Sequence, residues 1–256
     1  MGTVSKALNL LDIMTDSSHA MGLTALAGAA KYDKATTRRL LIELAQHGFV
    51  QHDETSRTYD LGPALQQLGR VRGQRFPLVQ LVLPQIKILA RKTQEMVHAT
   101  EYGSKALFSI CMEESTHANR VTLSGGSKLP LHATASGIAF LSASTDKFID
   151  GALTAELASY TPKTVTDVAA LRRSIADARS RGYSISNQSY EQGVCSVAAA
   201  ILGAGGRPVG TIAIARPTIR VTPANTHEYG LLVAAAVAAV SAALGHPQSS
   251  KFRQAS

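Results

Sequence analysis

LTALAGAAKYDKATTRRLLIELAQHGFVQHDETSRTYDL, residues 23–61, decides the fold of the first part of the chain. It reads as a short helix, a turn, a longer helix and a two-stranded hairpin. Asp33 is placed to cap the longer helix, because its carboxylate can accept the unpaired N–H groups of the first turn. Gly48 follows the last helical residue, where a left-handed backbone favours glycine. Between them Thr37, Leu40, Leu41 and Leu44 recur at helical spacing and form one apolar stripe. Lys34, Thr36, Arg38 and Arg39 fall outside the stripe, in the first two turns. A capped helix with a buried stripe and basic or hydroxyl groups near its start suits the major groove of DNA. There arginine bonds guanine edges bidentately, and threonine or lysine holds phosphates. Residues 49–52 and 58–61 have strand character and 53–57 are turn-rich, so a hairpin wing follows with Arg57 at its tip to meet a phosphate. The competing reading is an amphipathic helix and hairpin packed into some other α/β domain.

Outward from this stretch, residues 5–15 form a preceding helix with Leu8, Leu11 and Met14 among its apolar positions and Ser5 as its cap. Thr24 is expected to cap the short helix at 25–30. Pro63 suits the first position of a connecting helix that carries Leu65, Leu68 and Val71. Its Arg70, Arg72 and Arg75 read as solvated. Phe76-Pro77 ends that helix and marks a boundary. The expected division is a DNA-binding domain at 1–62, a linker helix at 63–76, a second domain at 77–247 and a flexible tail at 248–256.

The second domain opens with a helix at 78–93, after which the texture changes. Strands are expected at 97–102 and 106–112, joined through Gly103-Ser104, with a third near 120–123. Helices follow at 135–143, 148–157 and 167–181, the last capped by Thr166 or Asp167 and stopped by Gly182. Strands at 183–188, 196–202 and 209–216 precede a final helix opened by Pro223. Strands on both sides of helical segments make this an α+β fold of sensor type.

Composition is consistent with two such domains. The chain has 256 residues, 45% hydrophobic and 17% charged, the balance of a globular protein. Its net charge of +8 suits an anionic partner, but residues 1–75 hold nine Lys/Arg against seven Asp/Glu. Basicity therefore does not single out the DNA-binding half; the helix and wing do. Cys111 and Cys195 lie far apart with no CxxC or histidine at metal spacing, which argues against a disulfide scaffold or zinc site and for a reducing cytoplasm. No apolar signal segment begins the chain, and the longest apolar run, residues 231–244, is too short to span a bilayer; it reads as a buried or interface helix. Gly203-Ala204-Gly205-Gly206 matches neither nucleotide-binding glycine pattern and sits between strand-like runs, so it reads as a hairpin turn. No GxSxG, HExxH or paired-carboxylate arrangement occurs. The expectation is a protein with no catalytic residue, no metal and no cofactor.

Four segments in order resemble the IclR-type transcriptional regulators, over nearly the whole chain. They are Lys34-Ala35-Thr36-Thr37-Arg38-Arg39-Leu40-Leu41, similar to that family's recognition helix; Gly48-Phe49-Val50 with Tyr59-Asp60-Leu61-Gly62, similar to its wing; residues 126–137; and Gly182-Tyr183 through residues 193–199. The resemblance implies an N-terminal winged helix-turn-helix, a linker helix and a C-terminal GAF-like α/β effector-binding domain. It implies homodimers or homotetramers, binding double-stranded operator DNA under control of a small organic acid or aromatic metabolite, with no membrane involved. The implied DNA-binding residues are Lys34, Ala35, Thr36, Thr37, Arg38, Arg39 and Arg57. The implied effector pocket is formed by Leu129, Leu131, His132, Ala133, Thr134, Ala135 and Gly137, with Ser186, Asn187, Val194, Ser196, Ala213 and Ala215. Backbone N–H groups where the Ala135 helix begins would suit a carboxylate.

Two departures from the family pattern bear on the effector. Where the family often has acidic residues, this chain has Ser186-Asn187-Gln188-Ser189 and no carboxylate before Glu191; and Cys195-Ser196 replaces the usual Arg-Cys pair, as in the branch that senses aromatic acids. A pocket without nearby carboxylates repels an anion less, so an anionic or aromatic-acid effector is favoured. Cys195 reads as an inert strand residue, and His132 divides between loop structure and ligand contact. The alternatives to a regulator are a metabolite-binding protein or enzyme that keeps a non-specific winged helix, and a winged helix used for protein contacts.

Overall fold

A computed structural model describes residues 1–154 and 156–247, with the chain divided into two compact units between Pro77 and Leu78. The tail expected at 248–256 lies outside the described residues. The first unit contains α1 (Thr3–Asp16), β1 (Met21–Gly22), α2 (Leu23–Ala30), α3 (Lys34–Gln46), β2 (Val50–Asp53), β3 (Thr58–Leu61) and α4 (Ala64–Arg75). Leu10 and Met14 of α1, Leu26 and Ala30 of α2, and Leu40 and Leu41 of α3 pack with Val50 into one core. The three strands form a small antiparallel sheet in the order β1-β3-β2.

Two expected caps are displaced. Ser5 and Thr24 lie inside their helices, whose caps fall three and two residues earlier, at Gly2 and Gly22, neither of which offers a capping side chain. For α2 the sheet decides the start: Met21 and Gly22 pair with Tyr59 and Thr58, so the chain leaves the ladder at Gly22 and turns directly into the helix. The helix-to-helix turn runs through Lys31 in the left-handed region (φ 57°), and the Tyr32 N–H returns to the Ala27 carbonyl at 3.0 Å. Gly62 closes the wing onto the end of α3, where a Cβ would stand 2.2 Å from the Gly48 carbonyl oxygen.

The second unit contains α5 (Leu78–Thr93), β4 (Met96–Gly103), β5 (Ala106–Glu113), β6 (Lys128–Leu129), α6 (Ala135–Ser142), α7 (Asp146–Ala152), α8 (Val168–Arg181), β7 (Ser184–Asn187), β8 (Val194–Leu202), β9 (Pro208–Pro217) and α9 (Pro223–Ala243). Its six strands form one antiparallel sheet, β6-β5-β4-β9-β8-β7. The period-two pattern of the inner strands sorts side chains to opposite faces. Val97, Ala99, Val197, Ala199, Ile201, Ile212 and Ile214 face α5 and α9, which contribute Val82, Ile86, Leu89, Val233 and Val240. The opposite face carries Ala198 and Ala213, on which Ala135 and Ala139 of α6 rest. Four alanines at this contact let the helix lie close to the sheet. With 21 residues α9 is long and apolar enough to cross a bilayer, yet its valines are core residues of this sheet.

Two expected elements are replaced. Residues 120–123 are not a strand; the strand beside β5 is β6, with Leu129 opposite Leu107. Val121 and Leu123 are apolar because they cover Met96 and Ala215 at one end of the sheet, not because they join its ladder. The helix expected at 148–157 is α7, capped by Thr145 and finished at Ala152. There the Thr154 hydroxyl turns back to donate to the Gly151 carbonyl at 3.0 Å and satisfies the helix end locally. The β4–β5 turn is formed by Ser104 and Lys105, both at positive φ (46° and 66°), the geometry of a two-residue hairpin.

Candidate functional site

In the first unit the candidate surface is the start of α3. Asp33 accepts the Thr36 N–H at 2.7 Å, and that bond holds its carboxyl below the ordinary carboxylate value. The cap fixes where the helix begins and therefore which side chains leave it on the outer side. Lys34, Ala35, Arg38 and Arg39 are exposed, and Thr36 is partly so. Thr37 is not available to DNA: it is fully buried, its hydroxyl bonded to the Asp33 carbonyl at 2.9 Å. It belongs to the buried stripe of α3 with Leu40 and Leu41. Arg38 and Arg39 also part company. Successive helical residues diverge by about 100°, and Arg39 lies with Glu43 on the border of a groove of about 540 Å³ lined by Val4, Leu8 and Leu11. Arg38 is left on the outer face with Lys34 and Ala35. Arg57 stands exposed in the wing turn at φ 55°, after Asp53 has gathered the Thr55 and Ser56 N–H groups at 2.8 and 3.3 Å.

The second unit holds a small cavity of about 60 Å³ between the sheet and the start of α6. The sheet supplies Met96, His98, Ser186, Val194, Ser196 and Ala215; α6 and its approach supply Leu129, Thr134, Ala135 and Ser136. Thr134 caps α6, accepting the Gly137 N–H at 2.9 Å while donating to the Pro130 carbonyl at 2.9 Å. The first N–H groups of an α-helix have no acceptor within it. Ala135 and Ser136, the first two residues of α6, line the cavity, and at a helix start the dipole also favours negative charge. Ser186 and Ser196, register partners on β7 and β8, line the same space.

Seven of the expected pocket residues line this cavity: Leu129, Thr134, Ala135, Ser186, Val194, Ser196 and Ala215. The other six do not. Leu131 and Ala133 are core residues, and Ala213 is sealed beneath Ala135 and Ala139. Gly137 is required for packing, because a Cβ there would stand 2.2 Å from the Leu131 carbonyl oxygen. His132 is committed to the loop, with Nε2 2.9 Å from the Ala158 carbonyl. Asn187 is exposed and accepts the Cys195 thiol proton at 3.1 Å; burial raises that thiol's pKa, which suits an unreactive cysteine.

The absence of a nearby carboxylate also needs correction, since Glu191 lines the cavity rim, though solvent-exposed and therefore screened. Beyond it, Met96, His98, Ser136, Tyr190 and the segment Val121-Thr122-Leu123 line the cavity without having been singled out. Alternation along β4, started one residue earlier at Met96, would have put Met96 and His98 on one face with the cavity. Among the described residues no group of three or more His, Cys, Asp or Glu could hold a metal.

Comparison with known proteins accounts for both halves of this arrangement. A family model of the IclR helix-turn-helix domain matches residues 3–54, and one of the bacterial transcriptional regulator IclR C-terminal domain matches residues 73–242. The transcriptional repressor IclR of Escherichia coli (strain K12) is 28% identical over 246 residues, covering 95% of this chain and 90% of that protein. The crystal structure of a protein described as an IclR transcriptional regulator from Silicibacter sp. TM1040 superposes with a TM-score of 0.83 at 34% identity, covering 98% of this chain and 99% of that one. An IclR homologue from Microbacterium hydrocarbonoxydans, solved in complex with 4-hydroxybenzoate, shares the fold at a TM-score of 0.81 and 19% identity, covering 95% and 99%.

Proposed function

The chain belongs to the IclR family of bacterial transcriptional regulators, and from that premise we propose that it controls a metabolic operon in response to a compact organic acid. The observation that carries the DNA half is the start of α3, where a capped helix buries Thr37, Leu40 and Leu41 and leaves Lys34, Ala35 and Arg38 on its outer face. Arg38 is the base-reading candidate. Arg57 on the wing and Lys34 at the helix start are the phosphate-binding candidates, and Thr36 and Arg39 flank them. The partner is double-stranded operator DNA, read in the cytoplasm by a homodimer or homotetramer. Dimerisation is supported by α4, which has no buried residue and leaves Leu68 exposed, with Phe76 exposed just after its end.

For the effector, the free amides of Ala135 and Ser136 are the proposed carboxylate site, with Ser186 and Ser196 as neutral hydrogen-bonding partners. A cavity of about 60 Å³ holds the equivalent of about four water molecules. That favours a short-chain acid; an aromatic acid such as the 4-hydroxybenzoate of the Microbacterium homologue requires the Val121–Leu123 segment to move outward. No catalytic step belongs to this reading: Ser136 Oγ lies 3.4 Å from His98 Nε2, but nothing orients the ring at Nδ1 and burial pushes its pKa down to about 4, too low for a base near neutral pH; the function is binding.

The test is selection of genomic DNA fragments by the purified protein at two salt concentrations. Enrichment of one near-palindromic site at both, with affinity falling as salt rises, is the expected result. Binding that disappears with salt and enriches nothing would reduce the DNA half to charge attraction.

A further inference from the structure

One group at the cavity is unexplained by this reading. His98 sits in the middle of β4, opposite Ala213 on one side and Met112 on the other, and is 6% exposed. Its Nδ1 has no hydrogen-bond partner, and its Nε2 has one slack contact, 3.4 Å to Ser136 Oγ. Burial pushes its pKa down to about 4, so the ring is neutral near pH 7 and carries one donor and one acceptor nitrogen. Buried polar groups are nearly always paired, and an unpaired one costs stability. The surrounding sheet face does not use the ring: Met96, Ala213 and Ala215 are apolar, and the Thr100 hydroxyl is taken up by that of Thr211 at 2.7 Å. Rotation about Cβ–Cγ is soft, so either edge of the imidazole can be offered to a molecule in the cavity.

We propose that His98 is the specificity-determining residue of the cavity, hydrogen-bonding a hydroxyl that the effector carries beside its carboxylate. The effector class is then a short hydroxy acid. This rests on the acid-site reading above. A hydroxyl both donates and accepts, so it pairs with either tautomer of a neutral imidazole; a keto oxygen pairs only with the N–H. Ser136 joins the two subsites, its backbone N–H at the carboxylate end and its hydroxyl against His98. That adjacency sets the spacing: the hydroxyl belongs on the second or third carbon, and the small volume excludes long chains.

The experiment titrates the full-length protein calorimetrically with matched acids: glycolate and acetate, lactate and propionate, 3-hydroxybutyrate and butyrate. The wild type is expected to bind the hydroxylated member of at least one pair about tenfold more tightly, the worth of one hydrogen bond. His98→Phe keeps an aromatic ring without the nitrogens and should abolish that advantage, so that each hydroxy acid and its deoxy partner bind equally. Ser136→Ala should retain the advantage, and His98→Leu, which also removes both ring nitrogens, takes the place of His98→Phe should that variant not fold. Loss of the hydroxyl preference in Ser136→Ala would assign the contact to serine and overturn the proposal. Equal binding of each pair by the wild type, or a preference that survives in His98→Phe, overturns the role of His98 while the acid site stands. If no acid binds at all, the acid-site reading falls and this inference with it.

Discussion

Two neighbouring arginines differ because a helix turns by about 100° per residue. Arg38 projects with Lys34 and Ala35, whereas Arg39 borders the groove beside Val4 and Leu8. Replacing Arg38 by alanine should weaken specific operator binding by about 1–3 kcal/mol, the worth of a bidentate base contact. Arg39→Ala should weaken it by less, in proportion to a lost phosphate contact. Titration of a labelled operator fragment by the two variants checks this; equal losses would mean that both side chains enter the groove. Lysine at position 38 would not restore the contact, because an ammonium lacks the planar fork. Asp33, one turn away, has a different signature. Its carboxyl is held below the ordinary value of 3.8 by the Thr36 N–H it accepts. A lowered carboxylate stabilises the fold above its unfolded value and ceases to do so as the pH falls through the folded one. Denaturant unfolding should therefore show Asp33→Ala less stable than the wild type near neutral pH, with the difference shrinking below 3.8. A difference that is constant with pH would remove the charge from the explanation.

Among elements, α6 positions the proposed effector site, and its placement depends on Gly137. The helix lies against the sheet through Ala135 and Ala139. On its other side the Leu131 carbonyl oxygen comes within 2.2 Å of where a Cβ at residue 137 would be. Gly137→Ala must push backbone from backbone, at a cost of about 1–3 kcal/mol by the usual scale of overpacking. It should also displace the Ala135 and Ser136 amides. A lowered unfolding midpoint together with weakened acid binding is expected; unchanged values would show that the loop before α6 yields freely. The same helix shows what could be read beforehand. Its position was legible from the apolar run at 135–143, as Asp33 and Asp167 announced the caps of α3 and α8 and Pro223 the first turn of α9; that Thr134 caps α6 is seen only in the structure. The wing was legible from turn residues flanked by strand pairs. The cavity was only half legible. Leu129, Ser186 and Ser196 could be named from a familiar segment, but the wall at Val121 and Leu123 read as a strand. A short apolar run has the same local pattern whether it joins a ladder or covers one. His98 escaped for a similar reason: a lone histidine in a strand carries no sign of whether its neighbours will satisfy it.

At the scale of the whole molecule, basicity and function do not share a location. Of the net charge of +8, residues 1–75 carry only +2, so charge does not mark the DNA-binding half, and the proposed reading assigns sequence discrimination to the few side chains of α3 and the wing. Regulation then requires that the acid bind more tightly to one state of the protein than to another, since a ligand indifferent to both shifts nothing. That requirement has a measurable consequence. If the acid changes operator affinity by some factor, the operator must change acid affinity by the same factor, typically between about 5- and 150-fold. Operator titrations with and without saturating acid give the first factor; calorimetric titration of the acid into free and operator-bound protein gives the second. Agreement between them is expected, with heat signals from one acid per chain. Identical acid affinities for free and DNA-bound protein would show that the cavity and the operator are energetically independent, and the second unit would then be a binding module with no control over this promoter.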